Sequence, residues 1–334
     1  MLLENKLELL KRHIEKHNYD TVTVLCLPVC SSRLVKSRNY LENLTGFYLK
    51  SKMPGKVYAF SGFSHYYDDS KNTPEFYLKQ AEFYMAAGFD GLKMIEGRPN
   101  QRFILGHGYD DERYDLMYDY AQKNQIPIVI HASGPERGWK KGGRFEHDEF
   151  GFFDYYEELD RMMSKFPKIR VTFAHFNFIT EHIDMAADFL DKWENVYYDF
   201  TPNQFMFLDF QKKPDEWKDF FIKYQDRLIY GTDIGSNTKD LDGAEADSLV
   251  HMVRGFFEET KPYSELGYDF VPIPLDESIL RKIYKENMMK FYHGKAPKAP
   301  VASVMKEELE AVMKMRVLLN VDEAKDLETI KTVF

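Results

Sequence analysis

Apolar positions along this chain follow two alternating periods. Leu3, Leu7, Leu10 and Ile14 recur at helical spacing, so the chain opens with a helix. Thr21 to Leu27 is a β-branched, apolar run that predicts a strand stopped by Pro28. Helical spacing returns over 39–52, and Val57 to Phe60 predicts a short strand. Thr73-Pro74 starts the next helix, with Thr as N-cap and Pro in the first turn, and Gly88 closes it. Strands are then expected at 91–95, 127–131, 169–175, 196–199 and 227–233. The intervening helices cover 110–124, 152–165, a segment capped by Thr180 that runs to about Trp193, and 214–224.

Seven strands alternating with helices predict βα units in a parallel sheet. The strands are apolar nearly throughout, as burial on both faces requires. An open doubly wound sheet would place a glycine-rich phosphate loop after its first strand, and no G-x-G-x-x-G or Walker pattern occurs. Polar residues instead end many strands, which favours a closed (β/α)8 TIM barrel. The chain begins in a helix, so the strand missing from the set of eight is the first. Beyond Asp233 a helix is expected over 244–260, and Asp276 caps another containing Ile279, Ile283, Met288 and Phe291. Lys295 to Pro300 reads as a linker, and two short helices follow near 303–315 and 322–332. The expected division is a barrel over 1–294 and a C-terminal helical extension over 295–334, packed on the barrel floor or on a second subunit.

Composition narrows the class. With 334 residues and 44% hydrophobic content the chain can bury a full core. A net charge of -9 disfavours a nucleic-acid surface. The most basic stretch, Arg137 to Arg144, suits a small anion or carboxylate, or is simply a solvated loop. Cys26 and Cys30 make neither a disulfide framework nor a zinc-ribbon pattern, which points to a reducing compartment. No apolar run approaches the ~18 residues that span a bilayer, and the first residues lack a signal-peptide pattern. The expectation is a soluble cytoplasmic protein that takes a small-molecule substrate, forms a homo-oligomer, and binds neither membrane nor nucleic acid.

Three strands end on residues of metal-ligand or acid–base type: Ile128-Val129-Ile130-His131, Val171-Thr172-Phe173-Ala174-His175 and Tyr230-Gly231-Thr232-Asp233. Delivered to one rim, two imidazoles and a carboxylate could share a metal ion or a substrate. These phrases, with Phe166-Pro167-Lys168-Ile169-Arg170, Asn195-Val196-Tyr197-Tyr198-Asp199 and the Lys285-Glu286-Asn287-Met288 helix, resemble the amidohydrolase superfamily. The closest flavour is the amidohydrolase-2 group of metal-dependent hydrolases and decarboxylases. The resemblance covers about residues 3–292.

The resemblance implies roles. His131 would be a metal ligand, and His175 a second ligand or a proton-transfer and substrate-polarising residue. Asp233 would bind metal and act as general base on metal-bound water. Imidazole and carboxylate ligands suit Zn²⁺, and also Mn²⁺, Fe²⁺ or Co²⁺. The family's first strand normally ends in His-x-His; here no histidine precedes His13. Either the sequence begins downstream of that strand, or the strand is replaced or lost and the site is metal-free. His13 and His17 are four apart on a helix that packs outside a barrel, so both are expected at the surface. Lys93 interrupts an apolar strand and wants a partner; a substrate-facing or salt-bridged role is expected, and the alternative is carbamylation, which a strand-four lysine can undergo in binuclear relatives. His65, His107, Arg98, Arg102 and Arg137 belong to rim loops as substrate contacts, one arginine clamping a carboxylate. Asp199 could orient a ligand or Lys93, whereas His147, His182, His251 and His293 read as structural. The expected activity is metal-dependent hydrolysis of an amide, lactone or ester. Decarboxylation of a small acid and a non-catalytic barrel are the alternatives.

Overall fold

The computed structural model describes residues 3–27, 29–30, 41–66, 68–146, 149–235, 243–314 and 319–334. Pro28, residues 39–40, His147 and residue 315, which enter the expectations above, lie outside the described residues. The parallel strands are β1 (Val22–Leu25), β2 (Val57–Gly62), β3 (Gly91–Met94), β4 (Pro127–Ile130), β5 (Arg170–Phe173), β6 (Val196–Asp199) and β7 (Leu228–Ile229). Their order across the sheet follows the chain, as in a barrel built of successive βα units. The chain divides into two compact units: residues 1–129 with 296–334, and residues 130–295.

In the first unit β1 pairs with β2, and β2 with β3, all parallel. Val57, Ala59 and Phe60 are fully buried because helices cover the strands. The helix Pro74–Ala86 starts as its sequence predicts: the Thr73 hydroxyl accepts the Phe76 amide and Pro74 fills the first turn. Gly88 follows at φ +93, and a Cβ there would strike the Ala299 carbonyl. The C-terminal helices Ala302–Lys314 and Val321–Ile330 do not stand apart. Met305, Leu309, Val312, Leu327 and Ile330 complete one core with Leu3, Leu7, Leu44, Phe47 and Phe89. Lys50 and Asp90 form an ion pair under this core, with side chains 2% and 5% exposed. The second oxygen of Asp90 accepts the Lys298 amide at 2.8 Å, which fixes the linker segment to the same unit.

His13 departs from its expected surface position: it is 4% exposed. Asn18 adopts a left-handed turn that brings the Tyr19 amide back to the Ile14 carbonyl. The tyrosine ring thereby stacks near His13 and His17 and covers them, with centroids 5.7 and 5.8 Å away.

In the second unit β5 pairs with β6 and β6 with β7, again parallel. The core is aromatic: the Phe176 ring meets Tyr198, Phe200, Phe210, Trp217 and Phe220. Three features were not read from the sequence. Gln204–Phe210 is a helix begun by the Asn203 side chain, which accepts the Phe205 amide. Tyr263–Glu265 and Tyr268–Phe270 form an antiparallel hairpin. Thr180 caps nothing; its hydroxyl bonds Asp209 at 2.6 Å, and the helix begins at Ile183. Among the described residues no helix is long and apolar enough to cross a membrane.

Candidate active site

The rim chemistry of the second unit is built on an unusual backbone. After β5 the chain runs through His175, Phe176, Asn177 and Phe178 at φ values of +56, +52, +55 and +57. Four consecutive non-glycine residues in the left-handed region cost roughly 1–2 kcal/mol each. The surroundings hold them there. The Phe176 ring is locked in the aromatic core, and the Asn177 carbonyl accepts the Tyr156 hydroxyl at 2.6 Å. The His175 amide donates to Asp199 Oδ1 at 2.9 Å and to Thr201 Oγ1 at 3.1 Å. Strain of this kind, overdetermined by its environment, gathers at functional sites.

Here it aims the His175 ring. His131, one residue past β4, presents its ring edge-on to His175 with centroids 4.8 Å apart. Phe178 packs on both imidazoles, at 5.1 and 5.0 Å. His175 Nδ1 lies 3.0 Å from the Thr201 carbonyl, which can only accept. In the neutral ring Nδ1 therefore carries the proton and Nε2 the lone pair. Asp199 is 5% exposed; burial raises its pKa, and His175 together with its hydrogen bonds opposes the rise.

Phe178 also lines a shallow cleft with Pro135, Glu136, Arg137, Thr180, Glu181, Asn203, Phe205 and Asp209. The Arg137 guanidinium lies over the Phe205 ring, within the electrostatic reach of Asp209 and Glu181. Those two carboxylates are already engaged by lysines: Lys212 with Asp209 at 2.7 Å and Lys140 with Glu181 at 3.4 Å. Glu136 pairs with His182 at 2.7 Å.

The remaining expected residues fall elsewhere. Asp233 is exposed, at φ +49. Among the described residues no group of three or more His, Cys, Asp or Glu is placed to hold a metal ion. The donor set nonetheless fits a divalent ion in kind: His131 and His175 are adjacent imidazoles, and His175 has its second nitrogen fixed by a carbonyl, as metal-binding histidines do.

In the first unit Lys93 is buried in β3 opposite Gly62. Arg98 and Arg102 are not in a loop. Pro99 opens a helix to Leu105 with Arg98 as its N-cap residue, Arg102 sits inside it, and Gly106 ends it. His65 lies between the Tyr77 hydroxyl, 2.8 Å from Nδ1, and Glu96 Oε1, 3.0 Å from Nε2. His107 is 5% exposed beside Tyr114; burial and then Arg113 lower its pKa. Glu96, Tyr77, Thr201 and Phe178 were missed. Asp199-Phe200-Thr201 and Ile95-Glu96 carry polar groups just past strand ends, and that position was the available signal.

A family model for amidohydrolases matches residues 73–294. The chain belongs to the amidohydrolase family. This amidohydrolase is thereby an enzyme. Solved structures agree on the fold. An uncharacterised TIM-barrel protein from Bordetella bronchiseptica is 16% identical, with TM-score 0.56, over 86% of this chain and 84% of that one. A dihydroxybenzoic acid decarboxylase from a Polaromonas species, solved with bound manganese and 2-nitroresorcinol, is 14% identical, with TM-score 0.54, over 86% of each chain. A 4-oxalomesaconate hydratase from Rhodopseudomonas palustris is 11% identical, with TM-score 0.57, over 94% and 86%. No curated protein matches the sequence of this amidohydrolase. The α/β fold of TIM-barrel type expected from the sequence is the fold these proteins share.

Proposed function

We propose that this amidohydrolase is a lyase that decarboxylates a small carboxylic acid. One observation carries the reading: Phe178 packs on both imidazoles and also walls the cleft that presents Arg137. A carboxylate bound bidentately by Arg137 would have its neighbouring carbon brought toward the imidazole pair. Arg137 suits the task because its guanidinium, among the described residues, makes no ion pair. His175 exchanges a proton only at Nε2, since Nδ1 is committed to the Thr201 carbonyl. In its charged form it would deliver that proton to the carbon that loses CO₂ and return to the neutral Nδ1–H form. Phe178 and Phe205 would keep water from the reacting carbon and accept a flat, apolar body. A divalent ion held by His131 would supply electrostatic stabilisation of the charge that develops on the acid, leaving Nε2 of His175 to the proton. The bound manganese of the Polaromonas decarboxylase supports that cofactor.

Hydrolysis of a small ester, lactone or amide is the second reading, favoured by the Nε2 lone pair, which would take a proton from water. The roles first expected for Asp233 enter neither scheme, because that residue is exposed. The test is a substrate panel. Hydroxybenzoates are followed for CO₂ release and matched lactones and esters for acid release, each with and without Mn²⁺ or Zn²⁺. CO₂ release that falls at least ~100-fold in His175→Gln supports decarboxylation. Turnover confined to lactones or esters would overturn it.

A further inference from the structure

We infer that Asp199 is a positioning residue for His175, acting through the Thr201 hydroxyl and the left-handed backbone. The inference rests on the reading of His175 as the proton-exchanging group. Three donors converge on one oxygen of Asp199: the His175 amide at 2.9 Å, the Thr201 amide at 3.0 Å, and the Thr201 hydroxyl in a short bond. The hydroxyl has one proton, and Asp199 takes it. Thr201 Oγ1 can therefore only accept in its other contacts, which are the His175 amide at 3.1 Å and His175 Nδ1 at 3.2 Å. Nδ1 thus faces two acceptors, this oxygen and the Thr201 carbonyl at 3.0 Å, and no donor. Without Asp199 the threonine hydroxyl is free to turn its proton toward Nδ1. The ring would then populate the opposite tautomer, with its lone pair toward the protein. The same oxygen anchors the first residue of the strained turn, so Asp199 fixes both the direction and the tautomer of the ring.

All three bonds go to Oδ1, which gives the inference a sharp consequence. Asparagine can supply that oxygen, so the function of Asp199 lies in an acceptor at one point and not in its charge. The experiment uses the full chain with ¹⁵N-labelled histidine at one alkaline pH, His175 being assigned with His175→Gln. Wild type and Asp199→Asn are expected to show a protonated Nδ1 and a bare Nε2. Asp199→Ala is expected to show averaged nitrogen shifts, with kcat lowered about 100-fold and KM within about twofold. Thr201→Val, which removes the hydroxyl and keeps the carbonyl, is expected to lower kcat about 10-fold with Thr201→Ser near wild type. That pair carries the test if Asp199→Ala does not fold. A wild-type His175 protonated on Nε2, or an Asp199→Ala spectrum identical to wild type, overturns the inference, as does a Thr201→Val enzyme of unchanged kcat. The nitrogen shifts need no substrate. Normal shifts with no CO₂ release would therefore refute the proposed reaction and leave the positioning intact.

Discussion

Nε2 of His65 and Oε1 of Glu96 stand 3.0 Å apart with both side chains only 1% exposed. The other nitrogen of His65 meets the Tyr77 hydroxyl at 2.8 Å. A buried imidazole with both nitrogens engaged is costly to disturb, because whichever partner is removed leaves a polar atom without water. Glu96→Leu is expected to destabilise the protein by about 1–3 kcal/mol in urea unfolding. Glu96→Gln retains an oxygen for His65 and should lose less than half of that. Equal losses in the two variants would show that the hydrogen bond to His65 is not what Glu96 contributes.

The buried pair of Lys50 and Asp90 makes a different prediction. Asp90 accepts from Lys50, the Ala59 amide and the Lys298 amide, while Lys50 also donates to the Val57 carbonyl. Burial lowers the Lys50 pKa, and the carboxylate beside it opposes that. Lys50→Met leaves the carboxylate buried without its cation, at an expected cost of about 3–5 kcal/mol. Lys50→Met with Asp90→Asn should recover part of the loss, since no lone charge remains. A double variant as unstable as the sum of the singles would contradict the pairing.

Glu308 predicts a pH dependence. It reaches from the C-terminal helix to Tyr84, and burial raises its pKa to about 7. Tyr84, Cys26 and Glu42 share this environment, from the helix Pro74–Ala86, the end of β1 and the helix that begins at Glu42. In the unfolded chain the group titrates near the ordinary glutamate value, so between that value and about 7 the folded state holds one more proton. Stability from this group is full at the acid end of that window and is lost as pH rises through about 7. Because Glu308 is partly exposed as a residue, roughly 2 kcal/mol is the expected span. Urea midpoints measured from pH 5 to 8 should fall in wild type and stay level in Glu308→Gln.

The metal reading predicts a thermal response. Mn²⁺ or Zn²⁺ that binds the folded state alone raises stability by RT ln(1 + [L]/Kd), about 2.7 kcal/mol at a hundredfold excess over Kd. Tm should therefore rise with added ion in wild type and not in His131→Gln/His175→Gln, while Asp233→Asn should respond as wild type does. A response lost in Asp233→Asn would restore that residue to the ligand set.

These cases mark what the sequence could carry. β4, β5 and β6 were legible because each is a short apolar run that ends on a polar residue, and burial on two faces leaves no other pattern. His131 and His175 followed from that, since a strand end has one direction to point. The helix Pro99–Leu105 was not legible: it is seven residues long, too short to show a period, and begins at a proline that also suits a loop. Asp233 was placed by analogy with the strand ends around it. β7 ends at Ile229, so three residues separate Asp233 from the sheet that was meant to aim it. His13 was misread because a turn at Asn18, not the helix period, brings Tyr19 back to cover it.

The left-handed run from His175 to Phe178 had no sequence signal, because it contains no glycine, and it yields the last prediction. What stabilises it is the Phe176 ring, fully buried against Tyr198, Phe200, Phe210, Trp217 and Phe220. Truncating a buried phenylalanine costs about 3–5 kcal/mol through lost contact and the cavity left behind. At this position the same change also removes the anchor of a backbone that stores a few kcal/mol of strain. Phe176→Ala is therefore expected to lose stability and, in the fraction still folded, the single His175 tautomer. Phe200→Ala removes a comparable ring of the same cluster and leaves the turn anchored, so it should lose stability alone. Calorimetry and histidine ¹⁵N shifts on the two variants separate these outcomes, and a His175 pattern unchanged in Phe176→Ala would show that the turn is held by its hydrogen bonds without the ring.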